Sequence, residues 1–85
     1  MDPIVTISKI TRSSILVTYG VRQMTILGEA YERGYGSPDF VAYLSSMKGW
    51  NPPNDQDPFD DETRQKIISG VKQRIEERKM TIEFE

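Results

Sequence analysis

The residues whose types and spacing could do chemistry are led by Asp55, Asp57, Asp60, Asp61 and Glu62, five acids within eight positions with no base between them. Clustered carboxylate oxygens are what a hard cation such as calcium takes as ligands. The spacing does not make an EF-hand loop. Pro58 interrupts it, the turn glycine is missing, and Lys66 stands where the closing bidentate glutamate belongs. The same run can act instead as an anionic contact surface that steers a basic partner and sets its register. A purely structural use competes with both: Asp60 would cap a helix, while Asp61 and Glu62 complement its dipole. Asp55 and Asp57 lie outside that helix, so contact is expected chiefly of them.

Catalysis has little to draw on. The chain contains no His and no Cys, which removes the commonest general base, the thiolate nucleophile and every Ser-His or Cys-His arrangement. Glu29 and Glu32 would serve as an acid/base pair only inside a pocket that raised one pKa. Ser45-Ser46 with Lys48 matches no specific Ser-Lys pattern. Gly34-Tyr35-Gly36 has no strand-then-helix setting and reads as a flexible turn rather than a phosphate cradle. No catalytic residue, cofactor site or metal site is expected. Trp50, the only tryptophan, is either an interface anchor or, by preference, a core plug with Pro52 and Pro53 on its ring. Tyr31, Tyr35 and Tyr43 could line a binding edge, with at least one of them in the core.

Eighty-five residues suit a single domain spanning 1–85 with one modest core. A net charge of −2 argues against a nucleic-acid binder, whose footprint would be a basic excess. The acid is unevenly placed: residues 1–50 carry five positive and four negative groups, residues 51–85 six and nine. No apolar run nears the roughly 18 residues of a membrane helix. The N-terminus lacks a basic-then-apolar signal pattern. The expectation is a cytoplasmic protein that contacts neither membrane nor nucleic acid.

The elements that must position these residues follow from periodicity. Residues 4–10 are rich in β-branched side chains, and the polar cluster Thr11-Arg12-Ser13-Ser14 ends them in a turn. Residues 15–19 form a second strand. Gly20-Val21 suits a type II′ hairpin, and residues 22–29 return with Met24, Ile26 and Gly28 on one face. Residues 33–38 are a loop. Residues 39–47 lean to a fourth strand, although Phe40, Tyr43, Leu44 and Met47 also trace a helical stripe. Three prolines exclude regular structure from 51–58. A helix capped by Asp60 then presents Ile67, Ile68, Val71 and Ile75, closed by Arg78-Lys79. Gly70 beside that stripe costs about 1 kcal/mol relative to Ala and so implies close approach to the sheet. Residues 80–85 alternate, with Met80, Ile82 and Phe84 inward. The fold class is α+β, two-layer: an antiparallel sheet of about five strands carrying one C-terminal helix.

The order Pro38 to Trp50, a Pro/Asp-rich loop, an acidic-capped helix with Lys66-Ile67-Ile68 and an alternating last strand resembles a known family. It is similar to the small immunity proteins of bacterial polymorphic toxin systems, specifically the immunity protein 74 family, over residues 28–85. The resemblance implies a non-catalytic protein that binds one cognate toxin domain and blocks it. It assigns no contact residue, because such families diversify at the contact surface. Toxins of these systems that attack nucleic acids are basic, so a basic nuclease would suit Asp55, Asp57, Asp60, Asp61 and Glu62, with Trp50 and Tyr35 beside them. The protein itself is expected to be a monomer or weak dimer. The alternatives are a phage-type inhibitor of a host enzyme, an oligomeric module pairing through 80–85, and a calcium-responsive module.

Overall fold

In the N-terminal third, alternation builds three strands, β1 (Val5–Ile10), β2 (Ser14–Tyr19) and β3 (Arg22–Ala30), joined as an antiparallel meander. The computed structural model describes residues 3–31 and 38–85. Tyr19 pairs with Arg22 across the β2–β3 hairpin, and only Gly20 of its two loop residues has positive φ, at 65°, as a type II′ turn requires. Val5, Ile7 and Ile10 could not share a face in a regular strand, since 7 and 10 differ by an odd number. A bulge between Ile7 and Lys9 supplies the extra residue, and all three join the core.

Strand β4 (Phe40–Ala42) pairs antiparallel with Gly28–Ala30, and β5 (Ile82–Phe84) completes the order β1-β2-β3-β4-β5. The β4–β5 pair is parallel, a departure from the all-antiparallel sheet expected. The cause is the helix between them: a crossover returns the chain to the same end of the sheet, so the next strand runs the same way. The fourth strand is also shorter than expected. After Ala42 the chain makes a 3₁₀ turn over Leu44–Ser46. There the Ser46 hydroxyl accepts the Leu27 amide at 2.9 Å and donates to the Tyr43 carbonyl at 2.7 Å, replacing further strand pairing along β3. Gly28 is needed for this close crossing. A Cβ there would lie 2.5 Å from Phe40 Cε1 and closer still to the Val41 carbonyl oxygen.

Helix α1 spans Asp61–Glu77, and the Asp60 carboxylate accepts the Thr63 amide at 2.8 Å as its N-cap. Its end is a Schellman motif. Lys79 takes φ 59°, its amide donates to Glu76 at 2.9 Å, and Met80 donates to Ile75 at 3.1 Å. Ile67, Val71 and Ile75 are fully buried against Ile15, Val17, Met24, Ile26 and Phe40, while Ile68 packs at the margin. Each such aliphatic burial contributes about 1.5–3 kcal/mol. The helix also covers the sheet's β1 margin: Arg74 Nε donates to the Val5 carbonyl at 2.9 Å and Arg78 to that of Ile7 at 3.5 Å. Gly70 sits directly on Val5, as its place in the stripe implied. A Cβ at 70 would fall 2.5 Å from Val5 Cβ.

A Gly70→Ala substitution should therefore destabilise the protein in urea denaturation, although alanine is the better helix former by about 1 kcal/mol. Combining it with Val5→Gly, which removes the Cβ it would strike, should recover part of the loss and give a favourable coupling in a double-mutant cycle.

Candidate functional site

The Pro-rich loop is organised by Trp50, which is 6% exposed and belongs to the core. Its ring stacks on Tyr19 at 5.8 Å and meets Phe59 edge-on at 5.3 Å, and its Nε1 donates to the Pro58 carbonyl at 3.1 Å. Pro52 and Pro53, expected on the ring, are themselves exposed. The guanidinium of Arg22 lies over the indole at 5.8 Å. Trp50 thus supports the loop from beneath and does not present its ring to a partner.

The acidic residues follow Trp50 around the loop, and the structure gives most of them internal work. Asp57 receives Arg22 Nε at 2.8 Å and Asn54 Nδ2 at 3.1 Å. These bonds, Arg22 first, hold its carboxyl below the ordinary value of 3.8. Asp60 is lowered likewise by the Thr63 hydroxyl and then the Thr63 amide. Asp61 pairs with Arg64 at 3.8 Å and Glu62 with Lys66 at 3.5 Å, both exposed pairs of small energetic weight. Asp55 is exposed and accepts Gln56 Nε2 at 3.4 Å. Asp57 therefore has the structural role that its position outside the helix did not suggest, because its partner Arg22 is 35 residues away in sequence. Among the described residues no cluster of three or more His, Cys, Asp or Glu is arranged to hold a metal ion.

A second group forms at the other end of β3, on the face opposite α1. Tyr31 and Tyr43 both donate to Glu29 Oε2, at 3.2 and 3.1 Å. Both phenols are partly exposed, at 44% and 37%, beside Leu27 at 51%. The hydrogen bond to Glu29, before any other cause, raises both phenol pKa values above 10.0. Next to them lies a shallow groove of about 430 Å³ lined by Thr25, Leu27, Tyr43, Ser45, Ser46 and Lys48. The grouping of Tyr31 with Tyr43 was legible as aromatic crowding; Glu29 as their common acceptor was not. Tyr35, Gly34, Gly36 and Glu32 lie outside the described residues. A larger groove of about 480 Å³ runs between Val5 and the α1 face carrying Gly70, where Glu62 and Lys66 are already paired.

These features define a small two-layer α+β domain whose described helix covers one face of the sheet. The family model described as Immunity protein 74 matches residues 5–85, and the chain belongs to that family. The match takes in the N-terminal meander as well as the segment 28–85 that carried the resemblance. No curated protein and no solved structure matches the chain.

Two measurements check this geometry. In a spectrophotometric titration near 295 nm, Glu29→Gln should move the titration of Tyr31 and Tyr43 back toward the ordinary value. For Asp57 and Asp60 the folded pKa lies below the unfolded one. Their stabilisation is then complete above the ordinary 3.8 and is lost as pH falls through the lower folded values. The acid limb of a Tm-against-pH curve should flatten in Asp57→Asn/Asp60→Asn.

Proposed function

We propose that the protein neutralises one cognate toxin domain of a bacterial polymorphic toxin system, binding it in the cytoplasm and blocking it by occlusion rather than by catalysis. The observation that carries this reading is membership of the Immunity protein 74 family over residues 5–85. Charge supports the choice of a basic partner, with a nuclease domain as the class that fits best. Asp55, Asp61 and Glu62 are exposed at the loop and the start of α1, where they add to a negative field that steers a cationic surface inward. Asp57 and Asp60 contribute charge to the same field while holding the loop and capping the helix. Among the described residues no helix is long and apolar enough to cross a membrane.

The test is to express the C-terminal domain encoded by the neighbouring upstream reading frame, with and without this protein. Toxicity alone and growth on co-expression are expected; toxicity that persists despite co-expression, or a harmless product, would remove the reading. In the purified pair, Asp55→Asn/Asp61→Asn/Glu62→Gln should lower the association rate several-fold at low salt and leave dissociation nearly unchanged, because exposed charges act on encounter.

A further inference from the structure

The face of the sheet away from α1 carries a surface assembled from three neighbouring strands. Register places Glu29, Val41 and Glu83 in one row across β3, β4 and β5. The adjoining row holds Leu27 and Tyr43, whose amide donates to the Leu27 carbonyl at 2.8 Å. Glu85 follows on the same side of β5, near enough to Tyr31 and Tyr43 for its charge to disfavour their ionisation. The ion pairs Arg22–Asp57, Arg64–Asp61, Lys66–Glu62 and Arg74–Glu77 all lie away from Glu29, Glu83 and Glu85. This differs from the acidic loop, where ion pairs and caps occupy most carboxylates.

We infer that this open face is where a protein partner docks, with Glu29 receiving an arginine side chain between the rings of Tyr31 and Tyr43. Both phenols use the same carboxylate oxygen, Oε2, which fixes the carboxylate while neither of these bonds engages Oε1. Arginine suits this arrangement better than lysine. Its planar fork can span a carboxylate, and it packs against aromatic faces while remaining charged. Tyrosine and arginine are also the residues most enriched where a few contacts carry an interface. The groove beside Tyr43 gives an apolar neighbour of that arginine a place to seat, and Lys48 at its margin suits an acid on the same partner. Glu29, Glu83 and Glu85 favour a basic group at this end of the face, with Lys48 and, in the row of Leu16 and Thr25, Lys9 farther along it. On the function proposed above, the occupant is the toxin domain.

Two experiments decide it. The first needs no toxin: the labelled protein is titrated with N-acetyl-arginine methylamide at millimolar concentration and followed by amide chemical shifts. Shifts centred on residues 27–31 and 43, and abolished in Glu29→Gln, are expected. Shifts centred on 55–62, or none, would overturn the proposal. The second uses the toxin domain found by rescue. Glu29→Arg and Tyr31→Ala/Tyr43→Ala should each weaken binding by about 30-fold or more, with circular dichroism and a cooperative melt confirming that each variant is folded. Folded variants that bind as tightly as wild type would overturn the surface and leave the immunity reading standing. Wild-type protein that neither binds nor protects would overturn that reading, and with it the toxin as occupant.

Discussion

A single helix can cover only one face of a sheet, and the contact between Gly70 and Val5 determines how that covering is made. Without a side chain at 70 the backbone of α1 comes down onto β1, and Ile67, Val71 and Ile75 reach across to the inward residues of β2, β3 and β4. The same approach brings Arg74 and Arg78 to the carbonyls of β1. That margin of the sheet is therefore partly satisfied, as exposed edges must be if they are not to pair with other chains. The opposite face receives no such cover among the described elements. Its Leu27, Tyr31 and Tyr43 remain at the surface because the one available helix is used elsewhere.

Trp50 performs a comparable service for a segment with no regular structure. A loop with three prolines makes few backbone hydrogen bonds, so side chains must hold it. The indole does so by stacking on Tyr19, meeting Phe59 and donating to Pro58. Arg22 then bridges from the indole face to Asp57. The loop is fixed just before Asp60, which starts the helix. A run of acids that looks like a ligand set or a docking strip is thus largely the means by which a proline-rich connection is tied to a helix.

The two charged regions lie toward opposite ends of β3. Nine residues separate Arg22 from Ala30 inclusively, about 25–30 Å of strand at roughly 3.3 Å per residue. The acidic loop sits by the hairpin end, and the Glu29 group by the other. A partner of ordinary size can feel the first at a distance while contacting the second, since steering acts over a Debye length and docking requires contact. For a member of the Immunity protein 74 family, rapid encounter and a well-packed contact are separate demands, and separate residues serve them in the reading proposed here.

Local pattern was enough to place much of this architecture. Alternation located the meander, proline spacing marked the loop, Asp60 announced the helix, and Gly70 within an apolar stripe foretold a close contact. Each of these signals lies within one turn or one strand, where side-chain period and backbone preference act directly. The bulge in β1, the 3₁₀ turn after Ala42 and the parallel direction of β5 depend on how distant segments pack, so tertiary structure decided them. The same holds for the candidate sites. Aspartates and tyrosines could be counted in sequence, but Asp57 meets Arg22 across 35 positions and Glu29 meets Tyr43 across 14. Residue type determined which chemistry was available; only the folded sheet decided which charges were consumed inside the protein and which were left facing out.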